Sequence, residues 1–208
     1  MAASEHTYEI AIWAASAAFQ QDPDVLVPGL HYSRKRPGLN EIFYGSQLGA
    51  PNAFLVAHWD SLAAHQAFVA ETAFYESFIP TLAPARADTA DPISLVHALF
   101  PSSPVALLSA PLTEFATVTP KPGRGDAVRA LVERLAQELN AEGSQAAGAV
   151  WAPIVEEPER VVLVVGWPSH EVHAKAVEAP KLKELIGEIV ASSTETRVQE
   201  VVLRAFAG

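Results

Sequence analysis

The chain has 208 residues, half of them hydrophobic, a formal net charge of −10 and no cysteine. This length and apolar content supply a buried core in one or two domains of ordinary size, the acidic balance disfavours the phosphate contacts that dominate nucleic-acid binding, and the lack of thiols excludes disulfides, thiolate-bound zinc and iron–sulfur clusters. No apolar run reaches the roughly 18 residues of a membrane span and the opening residues lack a basic-then-apolar leader pattern, so the sequence reads as that of a soluble cytoplasmic protein with neither membrane nor nucleic acid as partner.

A strand-like run at residues 8–13 comes first. The next segment carries Pro23 and Pro28, which remove backbone donors and clash with a continuing helix, so a broken or looped connection is expected there. Strand-like runs at 41–48 and 53–59, a helical stretch at 61–78 and a strand at 93–100 complete the first half, and Pro101-Ser102-Ser103-Pro104 is a turn-rich boundary. In the second half a strand at 113–118 leads through a turn at 120–125 to Asp126, the expected N-cap for a helix over 127–140. That helix sets Val128, Leu131, Leu135 and Leu139 on one face. Strands at 147–155 and 160–167, a helix over about 171–191 with a break near Pro180, and a strand at 197–206 follow.

The two halves repeat each other. Trp59, Ser61, His65 and Val69 return as Trp167, Ser169, His173 and Val177, each at an offset of 108 (167 − 59), and in both copies the Trp closes an apolar strand and a helical pattern follows. Each half therefore reads strand, helix, strand, strand, helix, strand, the ferredoxin-like βαββαβ order. Such a unit covers one sheet face with helices and leaves the other apolar and bare. The expected fold is α+β: two tandem ferredoxin-like repeats, 1–100 and 113–208 joined by a linker at 101–112, packed sheet to sheet as an intramolecular α+β barrel, sufficient as a monomeric pseudo-dimer and compatible with a homodimer.

This doubled order, the strand-ending Trp59 and Trp167 with their following Ser and His, and helix tails such as Glu178-Ala179-Pro180-Lys181-Leu182 resemble the dimeric α+β barrel superfamily, in particular tandem antibiotic-biosynthesis-monooxygenase-like domains of the fungal type. The resemblance covers nearly the whole chain and implies a barrel that acts on small molecules. It includes cofactor-free monooxygenases, polyketide cyclases, dehydratases, haem proteins and members without known activity, so it names no single reaction. The His-x-x-His segment of plant polyketide cyclases is not matched, since Glu71 and Phe74 stand at those positions.

Among the residues themselves, His65 and His173 occupy equivalent positions and read as packing groups between helix and sheet. His58 and His97 break the duplication, being matched to Gly166 and, through Phe100 and Phe206, to Leu203. Alternation places His58 with Phe54 and Val56, and His97 with Ile93 and Leu95, so both imidazoles are expected among apolar neighbours, which favours the neutral, basic form. About two strands, roughly 10 Å, would separate them, enough to flank a substrate and too far to share a metal. The expectation is a working cavity in the first half with His58 or His97 as base and Tyr44 or Tyr32 as oxyanion donor. Trp13, Tyr32, Arg34 and Phe54, with Trp151 from the second half, are the expected substrate-lining groups. No phosphate loop, Ser-His-Asp order, zinc spacing or flavin signature occurs, so the reading is an acid–base enzyme without cofactor or metal on a small apolar, aromatic or polyketide-like molecule, for cyclisation, dehydration or oxygenation in secondary metabolism. A non-catalytic or stress-related small-molecule binder and a haem protein with an axial histidine are the alternatives.

Overall fold

The computed structural model describes residues 6–88 and 91–208. Its strands are β1 (His6–Ala14), β2 (Leu39–Gln47), β3 (Asn52–Trp59), β4 (Ser94–Phe100), β5 (Leu112–Pro120), β6 (Gly148–Pro153), β7 (Val161–Trp167) and β8 (Ser193–Ala205). They form one antiparallel sheet in the order β4-β1-β3-β2-β8-β5-β7-β6, the ferredoxin-like order twice over. The halves are hydrogen-bonded where β2 meets β8, from Phe43 opposite Ala205 to Gln47 opposite Val201. Gly45 is required at this seam, because a Cβ there would stand 1.9 Å from the Val202 carbonyl oxygen. The outer edges approach through a bridge between Ala98 and Ile154 and a bond from the Val155 N–H to the His97 carbonyl, so the sheet is nearly closed into a barrel.

Strand alternation sorts the side chains into three cores. Tyr8, Ile10, Phe54, Val56, Phe100, Phe115, Val164 and Val201 fill the barrel interior, where Phe54 and Phe115 from opposite halves meet at 5.4 Å. The other face of each half is covered by its own helices. The bare apolar face expected of each repeat is thus buried against its copy within one chain.

The helices differ between the halves. In the first, Ser16 caps α1 (Ala17–Gln21), a 3-10 turn at Pro23–Leu26 follows, and α2 (Val27–Arg34) starts with Pro28 in its first turn, which is the expected broken segment. Ser61 caps α3 (Leu62–Ala70). This helix ends earlier than its apolar pattern suggests, giving way to a π-helical turn at Phe74–Phe78 and a 3-10 stretch at Ile79–Ala85 that contains Pro80 and Pro84. Prolines prevent the regular i to i−4 ladder from continuing there. A short helix, α4 (Val105–Leu108), lies in the connection, and α5 (Gly125–Leu139) buries Val128, Leu131, Leu135 and Leu139 as its spacing requires. Its cap position is Arg124, and Asp126 lies in the first turn, where a carboxylate favours the helix dipole without capping it. Pro180 divides the last helical stretch into α6 (His170–Val177), capped by Ser169, and α7 (Pro180–Ser192). Among the described residues no helix is long and apolar enough to cross a membrane.

Candidate functional site

Helix α5 carries one continuous apolar stripe and α7 another, and where they lie over β5, β7 and β8 they leave a cavity of about 260 Å³. Val132, Leu135, Leu139, Leu163, Ile186 and Ile189 wall it. Its mouth carries the exposed Val190 and Val198. Two polar ends interrupt these walls. The Thr196 hydroxyl is buried without a hydrogen-bond partner, opposite Val118 on β5. Four residues along that strand, about 13 Å at roughly 3.3 Å per residue, Glu114 marks the other end together with Trp167 and His173.

That second end is assembled from three elements. Trp167 closes β7 and its indole N–H donates to Glu114 Oε2 at 2.8 Å. His173 stands one turn into α6 and sets Nε2 3.2 Å from the same oxygen, while its Nδ1 meets Glu200 Oε1 on β8 at 2.6 Å. Glu200 also receives the exposed His170 at 2.8 Å. Burial holds the Glu114 carboxyl above the usual carboxylate range, against the opposing pull of the His173 charge and the Trp167 hydrogen bond. A continuous line of exchangeable groups therefore runs from the cavity to the surface.

The first half repeats the arrangement with different endings. Trp59 donates to Glu9 Oε2 at 3.0 Å and His65 Nε2 stands 3.3 Å from that oxygen. His65 Nδ1 meets His97 Nε2 at 2.8 Å, and Glu156, from the loop after β6, receives both the ring Nδ1 and the backbone N–H of His97. Burial, reinforced by the His97 charge, pushes the His65 imidazole down to about 4. Burial likewise raises the Glu9 carboxyl. It acts the same way on Glu156, but the hydrogen bonds from His97 outweigh it and hold that carboxyl low. The adjoining cavity is only about 80 Å³. Phe68, Phe74 and Phe78 occupy its space, with ring centroids 5.0 to 5.3 Å apart.

The strand register corrects the pairing of the copies. Glu9 lies opposite His97 and Glu114 opposite Glu200, so His97 corresponds to Glu200 and not to Leu203. Matching through Phe100 and Phe206 misplaced it because Phe206 lies beyond the end of β8.

The sequence candidates are dispersed. His58 points into the barrel end, stacked on Tyr8 at 4.6 Å and 3.3 Å from Glu41, whereas His97 faces the helices, so they lie on opposite faces of the sheet and cannot flank one substrate. Tyr44 lies on the helix side, but its hydroxyl donates to Asp24 at 2.7 Å, and burial together with that bond raises it to about 12. Tyr32 donates to the Ala73 carbonyl and Arg34 to that of Leu39. Trp13 does line the small first-half cavity, with its N–H bonded to the Ala85 carbonyl. Phe54 is barrel core, and Trp151 bonds Glu133 outside the large cavity. Of the two cavities that end at a Trp–Glu–His set the roomier is in the second half, its polar end lined by Glu114, Trp167 and His173 with Glu200 behind them. Of these the repeat marks Trp167 and His173 directly, and Glu114 by its match to Glu9, which the alternation of polar and apolar residues in the first strand of each copy could have found.

No family model and no curated protein matches the sequence. Solved structures do. An anthrone oxidase-like protein superimposes with a TM-score of 0.73 at 14% identity, covering 98% of this chain and 94% of its own. A protein from Fusobacterium nucleatum, provisionally named a monooxygenase, gives 0.72 at 8% identity over 99% and 95%. Another so named, from Lactobacillus acidophilus, gives 0.65 at 12% over 97% and 95%. At such identities the likeness shows the fold, a tandem α+β barrel in a single chain.

Proposed function

We propose that the protein is a small-molecule enzyme of the monooxygenase-like kind, acting without a redox cofactor on an apolar aromatic or polyketide-like substrate held in the second-half cavity. One observation carries the reading: an apolar cavity whose far wall is a buried carboxylate fixed by an indole and an imidazole. Apolar walls supply binding and a few convergent polar groups supply orientation. Glu114 is the base. Trp167 and His173 fix its carboxylate in one rotamer, and His173 with Glu200 and His170 offers the proton a path to solvent. Thr196 is the partner for a polar atom at the substrate's other end.

The anthrone oxidase-like neighbour suggests the substrate type. An anthrone has a methylene carbon between two aromatic rings, acidified by the ring carbonyl. Removal of one proton by Glu114 gives a stabilised carbanion, molecular oxygen takes up the electrons, and the balance is one ketone and one water per methylene and oxygen molecule consumed. Cyclisation and dehydration start from the same proton removal.

The test is oxygen uptake with anthrone as the probe. Wild type and Glu9→Gln should turn over, and Glu114→Gln should lose at least about a hundredfold, the lower range for a general base. Equal loss in both variants would contradict the assignment to the second half. Saturable binding of anthrone with no oxygen uptake in wild type would instead identify a binding protein.

A further inference from the structure

The three outer groups of the line that gives the proton its path to solvent in the second half also present a donor set of their own. His170 and His173 lie one turn apart on α6, and Glu200 on β8 faces both. His173 Nδ1 is 2.6 Å from Oε1 and His170 Nδ1 is 2.8 Å from Oε2. The three donor atoms lie within 4.8 Å of one another. On its other side His173 presents Nε2 to Glu114 at 3.2 Å.

His173 therefore has a carboxylate at each nitrogen. A metal ion on Nδ1 beside the Glu200 carboxylate leaves the single N–H of the ring on Nε2 for Glu114, which becomes the outer carboxylate that fixes the tautomer and orientation of a metal-binding histidine. Zinc–nitrogen and zinc–oxygen distances of about 2.0 to 2.2 Å need donor atoms roughly 3.3 Å apart in a tetrahedron. The 2.6 and 2.8 Å contacts would open by about 0.5 to 0.7 Å, within reach of side-chain rotation.

We propose that His170, His173 and Glu200 bind one divalent transition metal of the zinc class, with a coordination position left open. Two imidazoles and a carboxylate suit zinc, cobalt or nickel better than calcium or magnesium, which take oxygen ligands. The first half cannot do the same. Leu62 stands where the duplication puts His170 (170 − 108), and the two imidazoles at the matching site, His65 and His97, already bond each other, with Glu156 closing the line. Exposure supports the difference, since the His170 side chain is 61% accessible and gives an ion a route in.

The test is titration of the full-length protein with zinc by calorimetry and with cobalt(II) by visible absorption, neither of which requires a substrate, so failure here leaves the proposed function standing. One equivalent should bind per chain. His170→Ala, at an exposed position that leaves the fold intact by circular dichroism, should weaken zinc by more than the roughly 10- to 100-fold expected for Glu114→Gln, which removes only the outer partner. His31→Ala, an exposed imidazole elsewhere, should bind as wild type. Zinc binding unchanged in His170→Ala, or no binding by wild type at micromolar metal, would overturn the site.

Discussion

The two halves hold the same Trp–Glu–His arrangement over cavities of very different size, about 80 Å³ in the first and 260 Å³ in the second. The first is filled by phenylalanines carried on an irregular, proline-interrupted stretch, and its polar groups are closed off by Glu156 from the other half. The second lies under two regular helices whose apolar stripes stop short of filling it, and its polar groups run on to an exposed histidine. A duplicated unit thus keeps its framework in both copies and changes what occupies the space, and the copy with irregular helices is the packed one.

The largest expected effect breaks this comparison at the carboxylates. Glu114→Gln should lower turnover by about 10²- to 10⁴-fold while Glu9→Gln stays within a few-fold of wild type, read as oxygen uptake under identical conditions. Next comes pH. Because burial keeps His65 neutral in the fold, with its value pushed from 6.5 to about 4, the unfolded chain takes up a proton below 6.5 that the native state refuses. His65 should therefore withdraw on the order of 3 kcal/mol of stability as pH drops from 6.5 towards 4. Denaturant melts of His65→Leu should show that slope flattened. Glu9 and Glu114, raised by burial, bind protons in the native state above their ordinary value of 4.5 and tilt the curve the other way, so the quantity to read is the difference between wild type and His65→Leu from pH 6.5 to 4.5, above the range where Glu156, held low, loses its contribution.

Packing gives a smaller contrast. Leu82→Trp inserts bulk into the nearly full first-half space and should cost about 1 to 3 kcal/mol. Ile186→Trp has room in the second-half cavity and should cost less than about 1 kcal/mol while abolishing ligand binding, so thermal melts and a binding assay on the pair separate a filled site from an open one. The smallest effect is at Tyr44→Phe. It removes one hydrogen bond to Asp24, whose side chain is half exposed, and should shift stability by about 1 kcal/mol or less.

The fold was legible because the duplication and the strand alternation each leave a clear trace. Trp59 and Trp167 close equivalent strands, and Pro23, Pro28 and Pro180 interrupt the helices where their chemistry requires. The site was less so. Difference between the copies pointed to His58 and His97, yet those two lie on opposite sheet faces. Similarity was the better guide, since Glu9 with Glu114 and His65 with His173 form the polar ends of the cavities. Cavity size could not be read at all, because it depends on how far the phenylalanines after α3 reach over the sheet. Glu200 and Glu156 enter through strand register and a loop from the opposite half, which no local pattern records. His170 escaped notice because its partner is 30 residues away.

A crystal structure of the protein soaked with anthrone locates the ligand. The tricyclic ring is expected between α5, α7 and the β5–β8 sheet, with its methylene carbon against Glu114. A ligand placed against His65 in the first half, or inside the barrel beside His58, would contradict it.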